Sequence, residues 1–232
     1  MTSISIFGAS GRMGQAIAEA AELRDDVTVS ERRRDVFVDF SVPDAVEEHL
    51  RRARSAGKPI LIGTTGLGPE HQDMIDEAAV EIAVVQAANT SLGVNLLAHL
   101  VREAAARLGE DWDIEIVEMH HRLKVDCPSG TALMLGRAAA EGRGADLQTI
   151  SDRGRDGITG SRQPGRIGFA SLRGGTVAGD HQVIFASEHE RIELGHRAES
   201  RAIFARGAIE AAVWLAGKPA GRYTMADVLG LA

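Results

Sequence analysis

The strongest constraint on the fold lies at the start of the chain. A short β-branched run, Ser3–Phe7, enters Gly8, and a helical pattern follows at once from Arg12 to Leu23, with Met13, Ile17, Ala20 and Ala21 at helical spacing. A strand that feeds a helix through a glycine turn opens an α/β sheet. The alternation continues along the chain. Val27–Val29 and Val36–Phe40 read as strands, and Pro43–Ala56 as a helix with Val46, Leu50 and Ala53 inward. Pro59–Ile62 is a strand, Pro69–Ala79 a helix and Ile82–Val85 a strand. This predicts a parallel, doubly wound sheet with both faces covered.

One step breaks the pattern. Only Ser30–Asp35 separates the second and third strands, whereas a parallel crossover usually takes a dozen residues or more. Six extended residues reach about 20 Å. Either the linker is taut, or Val36–Phe40 occupies another place in the sheet.

From Ser91 the pattern changes. Ser91–Leu108 predicts a long helix with Leu92, Leu96, Leu97, Leu100 and Val101 as its apolar stripe. Trp112–His121 reads as a strand, Thr131–Ala140 as an Ala-rich helix and Ile150–Arg166 as a Gly-rich loop. Phe169–Leu172, Gln182–Ala186 and Arg191–His196 are successive strands without intervening helices, which predicts an α+β domain with an open mixed sheet. Arg201–Leu215 is a helix that returns to the first domain. The expected division is therefore residues 1–90 with 202–232, the parallel α/β part, and residues 91–201, the α+β part.

Gly8-Ala9-Ser10-Gly11-Arg12-Met13-Gly14 sits where a dinucleotide fingerprint belongs. Glycines there let the backbone approach a pyrophosphate, and the helix N-terminus offers N–H groups to it. In the usual register Ala9, Gly11 and Gly14 fill the three glycine places, so the first glycine is displaced. Glu31 follows about twenty residues after Gly11, where an acid grips ribose hydroxyls. Arg32 beside it suits a 2′-phosphate, so both NADH and NADPH are expected cofactors. Arg33 and Arg34 read as a solvated turn. Gly63, Thr64 and Thr65 follow another strand, where small residues leave room for ribose and nicotinamide. Ala88, Asn89, Thr90 and Ser91 hold the same kind of position. Asn89 is open to two uses: bonding a carboxamide, or capping the next helix.

The densest polar run is Glu118 to Ala132, EMHHRLKVDCPSGTA. The adjacent His120 and His121 lack a third His or Cys at ligand spacing, which argues against a metal. Cys127 fits a small packing residue better than a nucleophile. Ser129-Gly130-Thr131 opens a helix whose N–H groups and dipole favour a carboxylate. Lys124 adds a full positive charge, and one of the histidines can serve as general acid. On a strand the two histidines point to opposite faces, so they share a pocket only where the strand ends. The reading is a site for a small dianion, facing the cofactor cleft.

Bulk properties exclude other classes. A net charge of −7 offers no global basic face for nucleic acid. A single cysteine rules out an intramolecular disulfide. No apolar run approaches the roughly 18 residues of a membrane span. The first residues show no basic segment followed by an apolar stretch, so the expected location is cytoplasmic.

With these motifs the sequence resembles the dihydrodipicolinate reductase family. The resemblance rests on GASGRMG at 8–14, DFS at 39–41, GTTG at 63–66, ANTSLGVN at 88–95 and the E-x-H-H-x-x-K-x-D-x-P-S-G-T-A run. SLRGGTVAGDHQVIFA, GHRAESRAIFARGA and YTMADVLGL extend it. The resemblance implies a Rossmann-like dinucleotide-binding domain, residues 1–90 with 202–232, joined to an open mixed sheet in a substrate-binding and oligomerisation domain, residues 91–201, assembled as a homotetramer. It implies NAD(P)H-dependent reduction of a cyclic imine dicarboxylate for diaminopimelate and lysine biosynthesis. His120 would protonate the ring and Lys124 would assist as proton donor and carboxylate partner. His121, Gly130 and Thr131 would bind substrate with Ser129 close by. Gly8–Met13, Glu31, Arg32, Gly63–Thr65 and Ala88–Ser91 would hold the cofactor. The sequence departs from the family pattern at Cys127, at Thr90 and in the missing helix before Val36. The competing readings are an aspartate dehydrogenase-like enzyme on the same scaffold and a cofactor-sensing regulator without turnover.

Overall fold

A computed structural model describes residues 1–231. In chain order the elements are β1 (Thr2–Phe7), α1 (Arg12–Glu22), β2 (Val27–Val29), β3 (Val36–Asp39), a 3-10 turn at Pro43–Ala45 and α2 (Val46–Ser55). β4 (Ile60–Ile62), α3 (Pro69–Glu81), β5 (Ala83–Gln86), α4 (Leu92–Arg107), β6 (Asp113–His120) and α5 (Gly130–Gly142) follow. The rest comprises α6 (Leu147–Ile150), β7 (Ser151–Asp152), β8 (Ile167–Arg173), β9 (Asp180–Ala186), β10 (Arg191–Arg197), α7 (Ala202–Leu215), β11 (Gly221–Tyr223) and α8 (Met225–Val228). The chain forms two compact units, Met1–Leu92 with Ala202–Ala232, and Gly93–Arg201.

The first unit is a six-stranded, wholly parallel sheet in the order β11-β5-β4-β3-β1-β2. Strand side chains alternate between faces, and each face has its own core. Ile4, Val36, Val38, Leu61 and Val85 pack with α1 and α7 on one side. Phe7, Phe37, Ile60, Ile62 and Val84 pack with α2 and α3 on the other. β11 at the edge was not anticipated; the three residues Gly221–Tyr223 are too short to show a period.

The short linker is resolved by register. β2 pairs with one side of β1, ending where Ile4 faces Val29, and β3 pairs with the other side, starting where Ile4 faces Val36. The chain therefore steps sideways past β1 without returning down the sheet. Two strand spacings are roughly 10 Å, well within the reach of six residues. Among the described residues no helix intervenes between β2 and β3. Instead the linker is tied to β1: Asp35 N–H donates to Ser3 O (2.7 Å), Ser30 N–H to Ile4 O (2.9 Å) and the Ser3 hydroxyl to Arg33 O. On this stretch of β1, small Ser3 and Ser5 are buried in place of large apolar residues.

The second unit is a mixed five-stranded sheet in the order β10-β9-β6-β8-β7, with β6 central. β6 runs parallel to β8 and antiparallel to β9. One face packs on α4 and α5 through Ile114, Ile116, Ile167, Phe169, Val183 and Phe185. The buried stripe of α4 is Val94, Leu97, Ala98, Val101 and Ala105, while Leu96 and Leu100 are exposed. Two of the anticipated stripe residues thus face away from this core. Among the described residues no helix is long and apolar enough to cross a membrane.

Candidate active site

In the first unit the turn after β1 is built by Gly8, whose φ of +75° favours glycine. Gly11 N–H closes the turn on Gly8 O at 2.9 Å, and Gly11 is the extended N-cap of α1. A Cβ on Gly14 would stand 2.3 Å from Gly8 O and 2.6 Å from Ala9 Cα. Gly14 thus allows α1 to start hard against the turn, and Gly8 supplies the bend that the register assigned to Ala9. The first N–H groups of α1 have no acceptor within the helix by geometry, and Ala9, Ser10, Gly11 and Arg12 are exposed with Met13 half-buried. Such a turn fits a pyrophosphate.

The other residues predicted for the cofactor are spread over the C-terminal ends of the same strands. Glu31 and Arg32 are exposed in the linker, where Ser30 Oγ accepts the N–H of Arg32 and Arg33. Arg34 lies over the Phe37 ring. Gly63 is required by Phe40, whose ring would stand 2.2 Å from a Cβ. Thr64 is buried, donating to Asp39 Oδ1 at 3.2 Å and accepting Ser41 N–H at 3.1 Å, while Thr65 is exposed. Asp39 itself is fully buried and also accepts from the Ser41 hydroxyl (2.6 Å) and pairs with His49 Nδ1 (2.9 Å). Ala88 is exposed, and Asn89 Oδ1 accepts Ser91 N–H at 2.9 Å just before α4. Thr90 and Ser91 are buried, and Thr90 Oγ1 donates to Phe204 O at 2.7 Å.

In the second unit the site grows out of the core. The inward face of β6 reads Ile114, Ile116, Glu118, His120, so the period-2 alternation that buries two isoleucines also buries a carboxylate and an imidazole. Strand register lays out the rest. Ser171 on β8 and His181 on β9 flank Glu118, and His196 on β10 faces His181. Arg173 flanks His120.

Glu118 is 1% exposed, a costly position for a carboxylate unless it is well bonded. It accepts two bonds from Arg173 (2.8 and 2.9 Å), one from Ser129 N–H (3.3 Å), and pairs with His120 Nδ1 at 2.5 Å. Burial pushes its pKa up, but the bonds from Arg173, Ser171 and His120 together outweigh that and bring it down to about 2. Burial lowers His120 below the usual imidazole value; Glu118 pulls it upward, and Lys124 and Arg173 add to the lowering.

Ser129 caps α5, its Oγ accepting Ala132 N–H at 3.1 Å and meeting His181 Nε2 at 3.1 Å. Ser129 is 1% exposed, so its hydroxyl is spent within the protein. Gly130 is exposed at the head of α5 and Thr131 is half-buried. β6 ends at His120, and His121 turns away, its N–H on Val177 O at 2.8 Å. Lys124 pairs with Asp126 at 2.7 Å, and Arg173 also bonds Asp126 O. Cys127 is exposed and reduced.

His120, Ser129, Gly130, Thr131 and Lys124 thus belong to one unit, and the residues predicted for the cofactor to the other. The sequence reading assigned no part to Arg173, His181 or His196. They lie more than 50 residues from His120 or Glu118 and enter only through strand pairing.

A parallel α/β sheet with a glycine turn, joined to a mixed sheet carrying a buried acid–imidazole pair beside a helix N-terminus, is the architecture of a nicotinamide-dependent oxidoreductase. The comparisons with known proteins narrow this. Residues 93–229 match the family model "Dihydrodipicolinate reductase, C-terminus", and residues 23–90 match "Dihydrodipicolinate reductase, N-terminus". The chain is 58% identical to 4-hydroxy-tetrahydrodipicolinate reductase of Zymomonas mobilis, over 98% of this chain and 97% of the relative. It is 51% identical to the enzyme of the same name from Caulobacter vibrioides, over 98% and 96%. The fold is shared with a dipicolinate-bound dihydrodipicolinate reductase from Paenisporosarcina sp. TG-14, at a TM-score of 0.79 and 23% identity, covering 97% of each chain. The chain belongs to the dihydrodipicolinate reductase family.

Proposed function

We propose that the chain catalyses the NADH- or NADPH-dependent reduction of 4-hydroxy-tetrahydrodipicolinate to tetrahydrodipicolinate, in the cytoplasmic synthesis of diaminopimelate and lysine. The observation that carries this is the placement of His120, bonded to a buried carboxylate, in the same unit as Lys124 and the head of α5.

The glycine turn at 8–14 receives the pyrophosphate, Glu31 and Arg32 meet the adenosine ribose, and Gly63–Thr65 with Ala88–Ser91 line the nicotinamide side. A bound reduced nicotinamide supplies the hydride. The substrate carries two carboxylates. One meets the first amides of α5 at Gly130 and Thr131, where the helix dipole favours an anion. Lys124 shifts its charge from Asp126 to the ring and its carboxylates, with His121 beside it. The 4-hydroxyl leaves as water to give an unsaturated ring, and a proton delivered to that ring by His120, together with the hydride, completes the two-electron reduction to tetrahydrodipicolinate. The dianion also raises the His120 pKa towards neutrality, opposing its burial.

Assembly as a homotetramer is part of the reading. The face of the second sheet opposite its helices carries Val117, Met119, Ala170, Leu172 and Ile184 beside Glu115 and Gln182, with Leu172 50% exposed, a mixed surface with apolar residues suited to another copy of the chain. Sedimentation gives the oligomer directly.

The deciding experiment mixes the protein with freshly generated substrate and follows NADH or NADPH oxidation by absorbance. Rapid oxidation with either cofactor is expected. Oxidation only with another imine or keto acid overturns the assignment.

A further inference from the structure

Glu118 and His120 stand two residues apart on the inward face of β6, with their side chains bonded at 2.5 Å through His120 Nδ1. The carboxylate is immobilised from the other side by Arg173 and by Ser129 N–H. The opposite ring nitrogen, Nε2, faces Gly179: a Cβ there would lie 3.0 Å from Nε2 and 3.4 Å from His181 Cε1. The glycine keeps space in front of the one nitrogen that Glu118 does not hold. His181 meets the ring edge-on, with centroids 5.0 Å apart.

We propose that Glu118, clamped by Arg173, is a positioning residue that fixes His120 as the Nδ1–H tautomer, so that Nε2 is the atom that gives its proton to the substrate. The inference rests on the reductase reading above for what His120 acts upon. Before the step both ring nitrogens carry protons. The Nε2–H bond breaks towards the ring carbon, and the product is neutral imidazole with its remaining proton on Nδ1, still bonded to Glu118. A carboxylate that accepts only Nδ1–H leaves no competing tautomer. The groups facing His120 are Glu118 on its own strand, Arg173 from β8, His181 from β9 with His196 behind it, and Lys124 with its partner Asp126 from the loop after β6. Of these Glu118 favours the imidazolium, while Lys124 and Arg173 oppose it.

The first measurement is the ring 15N titration of His120 in the wild-type, ligand-free protein, assigned with His120→Gln. The expected neutral form has a protonated Nδ1 and a bare Nε2. A neutral ring with its proton on Nε2 overturns the proposal, and this result does not depend on any turnover. The second is Glu118→Gln, which keeps an acceptor for Nδ1–H without the charge. The titration of His120 is expected to move to lower pH, with the alkaline limb of kcat/KM following it. kcat should fall roughly tenfold to a hundredfold while KM stays within about twofold, because Glu118 does not touch substrate, and Glu118→Asp should recover part of the loss. A folded Glu118→Gln protein whose His120 titration is unmoved reduces Glu118 to a structural partner of Arg173. Absence of turnover in the wild type, with the ring titration as expected, fails the reductase reading alone.

Discussion

His181 stands opposite Glu118 across the β6–β9 pair, yet its Nε2 bonds Ser129 Oγ at 3.1 Å, not the carboxylate. It is 6% exposed, and its Nδ1 has no hydrogen-bond partner among the described residues. Burial first, then the charge of His120, lowers its pKa from 6.5 to about 4. Protonation is therefore easier in the unfolded chain, so stability is complete above about pH 6.5 and falls as pH drops towards about 4. Glu118 adds a lower window, from 4.5 down to about 2, where its native hydrogen bonds must be given up for protonation. Urea unfolding across pH should lose on the order of 2–3 kcal/mol through the upper window. His181→Gln should flatten that part of the curve and leave the lower one. Parallel curves for the two proteins between pH 6.5 and 4 would assign the loss to other groups.

Gly14→Ala tests the glycine turn. The new Cβ would meet Gly8 O and Ala9 Cα, both backbone atoms, so neither can swing aside and α1 must slide away from the turn. Overpacking of this kind costs about 1–3 kcal/mol. It also moves the N–H groups that would receive a pyrophosphate. The expected outcome is a fall of at least roughly tenfold in NADH affinity, about 1.4 kcal/mol, read by cofactor fluorescence. Unchanged affinity would place the pyrophosphate elsewhere.

How far the sequence could be read follows from the range over which each signal acts. The glycine turn, the strand–helix alternation and the Glu118–Ala132 run are local, and each lies where its spacing put it. The Ser30–Asp35 linker was visible as an anomaly, but its solution needed the offset of β2 and β3 along β1, a pairing that no local pattern encodes. The alternation of β6 carries only to His120, and His121, read as the strand's last residue, lies just past its end. The alternation could not tell that Glu118 faces inward with Ile114 and Ile116, because a carboxylate in a strand reads as solvent-facing until its partners are known. Arg173 and His181 are those neighbours, brought in by registers across 53 and 63 residues. At Gly63 the smallness that reads as room for a ligand is also demanded by the Phe40 ring, a contact that no local pattern encodes.

Lys124→Ala separates charge from packing. The side chain is 20% exposed, and among the described residues its ion pair is to Asp126, itself more than half exposed. Losing such a pair changes stability by no more than about 0.5 kcal/mol. If the ammonium engages the substrate dianion and helps in proton delivery, kcat/KM should fall by roughly two orders of magnitude at unchanged melting temperature. Near-normal kinetics would remove Lys124 from the site, and Lys124→Arg, which keeps charge but not shape, shows how much of the effect is electrostatic.

Arg32 offers the sharpest test of the adenosine side. It is exposed in the linker that replaces a helix, its backbone N–H held by Ser30 Oγ at 3.3 Å, and Glu31 beside it is exposed as well. Because the linker is tied to β1 through Ser3 and Ile4, these side chains project from an anchored backbone. A guanidinium pairs with the 2′-phosphate of NADPH, whereas a carboxylate pairs with the free 2′-hydroxyl of NADH and repels the phosphate. Arg32→Ala should therefore weaken NADPH by roughly tenfold, about 1.4 kcal/mol, and leave NADH within about twofold. Glu31→Ala should do the reverse, weakening NADH and sparing or improving NADPH. Titrating both cofactors against both variants gives the answer in four binding constants. Equal losses for the two cofactors in either variant would mean that the linker acts through its backbone alone, and that the choice of cofactor is made by other residues.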